Sequence, residues 1–396
     1  MIYRIEAWIS LAGGRVLAGE MVCEIVSDGR GRGAFRYASD YLKHPSAFAL
    51  DPISLPLREG EFDVGHPGVL GVFEDSLPDD WGRKLLVRKN RISHHHQNLP
   101  NLLLALGSSG LGALSYADKG VPAEISSEVS ALNLDRLVEA VEAFERGEDT
   151  ENHINLLLGA GSSAGGARPK ALVYDEGNDV HYLAKFPSIK DDVDVVRIEL
   201  ATMNLAESAG LIVPELRLVK CGSKPVLLVS RFDIIPQGRR HMISMQTLLK
   251  VSGYYQCRYS DLLSVVRKVS SNPQADSERL YRQMVFNAVI HNTDDHLKNF
   301  WMVCDSMQGW RLSKAFDLVP DIGQRGEHVF FFDLDAVYPG RANLGKLGQS
   351  WGISGAVNIV DQVFSAVADW RQEFKACGVA SKDIKRFSEI DDYLQR

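Results

Sequence analysis

The apolar run RLYRQMVFNAVI, residues 279–290, leads without a spacer into HNTDDHLKNF, residues 291–300, where five of the ten side chains are ionisable. A helix of that composition is buried, so the fold must close a core around it and still present a charged loop at its end. Within the loop Asp294 and Asn299 stand five apart. This is the D-x-x-x-x-N spacing of a kinase catalytic loop, where the Asp takes the acceptor hydroxyl's proton and the Asn holds a metal ion. Lys298 adds a cation, and eighteen residues beyond Asn299, past an expected strand at 310–312, Asp317 stands in AFDLVPD, placed to be a second metal-holding carboxylate.

Upstream, GAGSSAGGARPK, residues 159–170, holds four glycines in twelve residues. Residues without a Cβ let backbone N–H groups approach an anion closely, although the segment matches neither G-x-x-x-x-G-K-[ST] nor G-x-G-x-x-G, and a linker between helix and strand would look the same. The following segment, ALVYDEGNDVHYLAKFP, predicts strand, Gly-Asn turn, strand. Its second strand carries Lys185 between apolar neighbours. A lysine there needs an anionic partner, and an ATP phosphate together with a helix Glu is one solution. Glu199, on the inward face of a helix expected over 194–209, can be that Glu, as can a solvated salt bridge. Gly-rich loop, strand Lys, helix Glu, Asp with Asn, and metal Asp thus occur in kinase order.

The rest of the chain sets the frame. Alternation in MIYRIEAWI and turn signals at Gly13-Gly14 and over 29–33 predict a β-rich start. Pro78, Asp79 and Asp80 mark a helix start, and LDRLVEAVEAFERGE predicts an amphipathic helix stopping at Gly147, then a second over 150–158. Further strands are expected at 216–219 and 225–232, and mostly helices after 260. The polar stretch GVPAEISSE places a linker near 115–130. The expected fold class is α+β: a β-rich N-terminal subdomain over 1–120, a small mixed lobe over 121–232 and a larger helical lobe over 233–396.

Forty-four Lys plus Arg against 51 Asp plus Glu, a net −7, excludes a chain that binds nucleic acid or anionic membrane with its whole surface. Five cysteines without a C-x-x-C, expected as buried apolar residues, together with charges at Arg4 and Glu6 and no apolar run of membrane-spanning length, point to the cytoplasm and to no membrane. His94, His95 and His96 suit an exposed loop better than a metal site, because consecutive side chains diverge. Asp333 and Asp335 suit an acidic edge or turn.

With these residues in view, the chain resembles the HipA family of serine/threonine kinase toxins from bacterial type II toxin–antitoxin systems. The resemblance lies in DSLPDDWGRKL (75–85), SAGGARPK (163–170), LAKFP (183–187), RFD (231–233), NTDDHLKN (292–299) and FDL (316–318). It implies a kinase-like fold behind an N-terminal subdomain, use of ATP and Mg2+, and neutralisation by a HipB-like helix-turn-helix antitoxin through which DNA is mainly contacted. It implies Asp294 as base, Asn299 and Asp317 as metal ligands, and Lys185 on the ATP phosphates. Gly165, Gly166, Ala167, Arg168, Pro169 and Lys170 would cover the phosphates. Ser230, Arg231 and Phe232 would form the adenine hinge, and His296, Leu297 and Lys298, with Phe316 beside Asp317, would complete the nucleotide site. Ser230 stands where relatives often carry an acid, and RHMIS, residues 240–244, departs from the best-known toxins.

The resemblance further implies a protein substrate, possibly an aminoacyl-tRNA synthetase, and autophosphorylation at Ser163, with Ser162 as the competing acceptor. A phosphate there would place about −1.5 to −2 charges beside ATP's own. Two other functions fit parts of the pattern. A non-catalytic ATP-binding co-repressor leaves the Asp–Asn–Asp set without a role, and a metal phosphohydrolase leaves the Gly-rich loop and Lys185 without one.

Overall fold

The structure is a computed structural model that describes residues 1–26, 31–64, 69–121, 129–130, 134–159, 168–236, 238–252, 256–332 and 335–396. The chain divides into two compact units: residues 1–189, 219–243 and 303–309, and residues 190–218, 244–302 and 310–396.

The first unit opens with a five-stranded sheet of β1 (Ile2–Leu11), β2 (Gly14–Ile25), β3 (Gly31–Tyr37), β4 (Phe62–Val64) and β5 (Leu114–Asp118), in the order β4-β3-β2-β1-β5. Alternation in β1 buries Tyr3, Ile5, Ala7, Ile9 and Leu11 on one face. The β1–β2 turn uses Gly13 and Gly14 at φ of 99° and 133°, which residues with a Cβ rarely adopt.

A second sheet consists of β6 (Val129–Ser130), β7 (Lys170–Asp175), β8 (Val180–Lys185), β9 (Leu216–Cys221) and β10 (Lys224–Ser230), in the order β6-β7-β8-β10-β9. One of its faces is covered by α1 (Asp80–Lys89), α2 (Leu134–Arg146) and α3 (Glu151–Gly159). Trp81 and Leu85 from α1, Leu137 and Val141 from α2, and Ala171, Val173, Tyr182, Ala184, Val226 and Leu228 from the strands form one core. The α1 helix, which begins at the expected Asp79–Asp80 signal, therefore seals the second sheet rather than the first.

The second unit is mainly helical. Its long helix α6 (Pro273–Ile290) packs against α5 (Tyr259–Val269) and α7 (Ala356–Val367), while α4 (Val195–Ser208) is capped by Asp194, whose Oδ1 accepts from Arg197 N at 3.1 Å. Every residue of α6 from Met284 to Ile290 is buried, which explains the apolar run. Gly348 lets the helix Arg341–Ser350 close on α6, because a Cβ there would lie 2.4 Å from the Tyr281 ring.

Among the described residues no helix is long and apolar enough to cross a membrane. The five cysteines are free thiols, four buried as expected, with Cys377 only half-buried beside Glu373. His94–His96 form an exposed 3₁₀ turn, as expected. Asp335 is exposed, and Asp333 lies outside the described residues.

Candidate active site

On the second sheet, alternation decides which way Lys185 points. Tyr182 and Ala184 of β8 and Ala171 and Val173 of β7 enter the helix-covered core, so Leu183, Lys185, Lys170 and Leu172 belong to the opposite face. Lys170 and Lys185 are direct cross-strand partners, and Leu227 of β10 lies beside Lys185 on the other side. Lys170 is only 6% exposed, and two like charges at opposite positions favour negatively charged neighbours. Leu172, Leu183, Leu227 and Val229 give the same face an apolar stretch next to the lysines. Arg168 is exposed and Pro169 buried. Ser162, Ser163, Gly165, Gly166 and Ala167 lie outside the described residues.

Strand β10 ends at Ser230, two residues short of the expected 232. Arg231 N donates to His181 O at 2.8 Å, and the Arg231 guanidinium folds onto Asp233, with Nε to Oδ1 at 3.0 Å and Nη2 to Oδ2 at 2.7 Å. Burial alone would raise the Asp233 carboxyl, but the charge and hydrogen bonds of Arg231, helped by Arg239 and the Gly112 N–H, hold it at about 2. Arg231 is thus a structural side chain at this bend, and its neighbour's Phe232 O accepts from Arg240 Nη1 at 3.1 Å.

In the second unit, α6 ends at His291, which takes the left-handed conformation at φ 60° and turns the chain into the charged loop. A relay of side chains then anchors the loop. Asn292 Nδ2 donates to Asn287 Oδ1 at 3.2 Å, Asn287 Nδ2 to Tyr259 Oη at 3.0 Å, and Tyr259 Oη to Asp295 Oδ2 at 2.5 Å. Asp295 also accepts from Val329 N at 2.9 Å and lies 3.2 Å from His328 Nδ1. Burial, together with the Asp295 charge, pushes the Tyr259 hydroxyl far above its ordinary range, so it stays a donor.

Held by that anchor, Asp294 turns the other way. Its carboxylate is half-exposed and meets Arg325 Nη1 at 2.6 Å, while its backbone O accepts from Asn299 Nδ2 at 2.8 Å and from His296 N at 2.9 Å. Asn299 spends its amide nitrogen on the loop, which leaves its Oδ1 as an acceptor. Leu297 is fully buried beneath the loop, and Lys298 O accepts from Trp301 Nε1 at 2.6 Å. Thus the structure brings Asp294, His296 and Asn299 into one tight turn. Asp317 takes the left-handed conformation at φ 57°, between the half-buried Phe316 and the buried Leu318.

An amide oxygen and a carboxylate suit a hard oxygen-seeking cation such as Mg2+, which usually keeps water and phosphate as its other ligands. The half-exposed Asp294 carboxylate can receive a proton from a hydroxyl. Glu199 is 5% exposed, as its inward placement required. Asp295 and Arg325 were not singled out by the sequence: Asp295 is identical in type to its neighbour, and Arg325 lies in a segment without periodicity.

The family model for the HipA-like C-terminal domain matches residues 162–371, and that for the HipA N-terminal domain matches residues 16–117. The chain belongs to the HipA family of serine/threonine kinase toxins. It is 26% identical over 350 residues to the serine/threonine-protein kinase toxin HipA of Shewanella oneidensis, covering 79% of this chain and 76% of that protein. It is 25% identical over 229 residues to Y4mE of Sinorhizobium fredii, 52% of this chain and 53% of Y4mE, so it spans about half the length of that curated relative. A chain of the solved Shewanella oneidensis MR-1 complex of HipA, HipB and operator DNA superposes at a TM-score of 0.69 and 19% identity, covering 98% of this chain and 95% of that one. The fold is accordingly the kinase-like HipA fold, α+β as expected.

Proposed function

We propose that this HipA-family protein is an ATP- and Mg2+-dependent serine/threonine protein kinase acting as a toxin. The carrying observation is the division of labour between Asp294 and Asp295. The buried acid ties the loop to Tyr259, His328 and Val329, and the half-exposed one is left on the surface five residues before Asn299. Asp294 accepts the acceptor hydroxyl's proton as the oxygen attacks. Asn299 and Asp317 hold Mg2+, which neutralises charge on the transferred phosphoryl group when bound. Lys170 and Lys185 hold the phosphates on the sheet face, Leu172, Leu183, Leu227 and Val229 receive the adenine ring, and Ser230–Phe232 form its hinge. Arg168, Pro169 and the Gly165–Ala167 stretch cover the phosphates, and His296 and Lys298 line the loop side.

The substrate is a cytosolic protein of translation, such as an aminoacyl-tRNA synthetase, and the chain modifies its own Ser163. A HipB-like helix-turn-helix antitoxin is the partner, and DNA is reached mainly through it. Mass spectrometry after incubation with ATP and Mg2+ tests the self-modification. Phosphate on Ser163 of the wild type and not of Asp294→Asn supports it, whereas phosphate on neither Ser162 nor Ser163, or equally on both proteins, refutes it. Co-expression with the neighbouring operon gene tests the partner, and elution of this protein alone counts against it.

A further inference from the structure

Beside the Arg240–Asp305 ion pair, the segment that follows β10 makes polar contacts with the N-terminal part of the chain. Asp233 Oδ2 accepts from Gly112 N at 2.8 Å. Arg239 Nη1 donates to Gly110 O at 3.1 Å and Gly112 O at 3.4 Å. His241 Nε2 donates to Leu50 O at 2.8 Å. Asp233, Arg239 and His241 are thus held by residues 50–112, all within the first unit.

The grip reaches the bend at Ser230–Phe232 through one pair. The Arg231 and Asp233 side chains are 2% and 4% exposed and joined in a two-pronged fork, which fixes both directions of the guanidinium plane. Arg231's own N–H is held by His181 O on β8. The backbone at 231 is therefore located from two sides, by the second sheet through His181 and by the N-terminal sheet region through Gly112 and Asp233. A buried ion pair is a poor source of net stability, since apolar side chains of similar volume often serve as well; what it supplies that they do not is a fixed geometry.

We infer that the Arg231–Asp233 pair is a positioning device through which the Gly110–Gly112 loop sets the backbone that reads the purine base, so that selection of ATP over GTP depends on side chains that do not themselves touch the nucleotide. The inference rests on Ser230–Phe232 being the adenine hinge of the proposed kinase. A hinge displaced by a fraction of an ångström loses hydrogen bonds to the base, each worth roughly tenfold in relative affinity.

The test is equilibrium binding of fluorescent mant-ATP and mant-GTP to the full chain with Mg2+, alongside thermal melting. Two variants are needed, because Asp233→Asn leaves a buried guanidinium without its charge partner and can fail to fold. In the second, Arg231→Met is combined with Asp233→Leu, which restores apolar packing without the fork. The wild type is expected to favour ATP, and the double variant, which melts lower because the Gly112 N–H loses its acceptor but still folds cooperatively, to lose at least about tenfold of that preference. A folded double variant with the wild-type ATP-to-GTP ratio overturns the inference and leaves the kinase reading intact, as does a wild type that binds both nucleotides equally. A wild type that binds neither nucleotide removes the kinase reading and the inference together.

Discussion

Arg325 Nη1 stands 2.6 Å from Asp294 Oδ1, with both side chains about half in solvent, whereas the adjacent Asp295 carboxylate is completely buried. Two identical residues side by side therefore have opposite energetics. The Asp294 pair is screened by water and exchanges partners readily, so it shields the proposed base without locking it. Replacing Arg325 by Ala is expected to change unfolding stability by less than about 1 kcal/mol, read from the urea midpoint. A large loss would show that the contact is structural.

Asp295 is the contrasting case. Its removal strands the Tyr259 hydroxyl, His328 and the Val329 N–H without their acceptor. Asp295→Ala should cost about 3–5 kcal/mol in the same urea titration. A midpoint equal to that of the wild type would contradict the anchoring role.

Metal dependence should be traceable to two oxygens. Asp317→Asn and Asn299→Ala are each expected to raise the Mg2+ concentration needed for half-maximal labelling by roughly tenfold or more, since each removes one of few protein ligands. Unchanged Mg2+ titrations in both variants would take the metal away from these residues.

Acid stability follows from His241. Burial lowers its pKa to about 4, against a small upward pull from the Leu50 carbonyl. Unfolded histidine titrates near 6.5, so between those values the unfolded chain binds the extra proton. The contribution is complete above about pH 6.5 and shrinks as pH falls, by roughly 3 kcal/mol at pH 4. His241→Gln, which keeps a donor for Leu50 O but cannot titrate, should flatten the stability profile between pH 6.5 and 4; an unchanged slope would assign it to other groups.

Local rules carried much of this fold into view. The 3.6-residue spacing of Leu134, Leu137 and Val141 and the stop at Gly147 correspond to α2, and the 170–185 hairpin forms where alternation placed it. Its turn, 176–179, contains the expected Gly-Asn pair; the left-handed residue within it is Asp179 at φ 54°, with Asp179 Oδ1 accepting from Tyr174 Oη at 2.7 Å. Strand β5 went unrecognised because Leu114–Ala117 are all buried, which erases alternation.

At the site, the five-residue spacing to Asn299 separated Asp294 from Asp295, but the role of Asp295 depends on Tyr259 and His328, 36 and 33 residues away. Arg231 was expected as part of a hinge; its pairing with Asp233 and Gly112 is a long-range contact that no local pattern encodes.

The central claim is that Asp294 is the base of a phosphoryl transfer, and the most direct measurement is the rate at which γ-labelled ATP labels protein in the wild type and in Asp294→Asn, with mant-ATP affinity measured on both. The expected result is protein labelling by the wild type, a loss of about 10²–10⁴ in the variant, and nearly equal nucleotide affinity. Equal labelling rates in the two proteins, or nucleotide bound by the wild type with no label transferred to any protein, would contradict it.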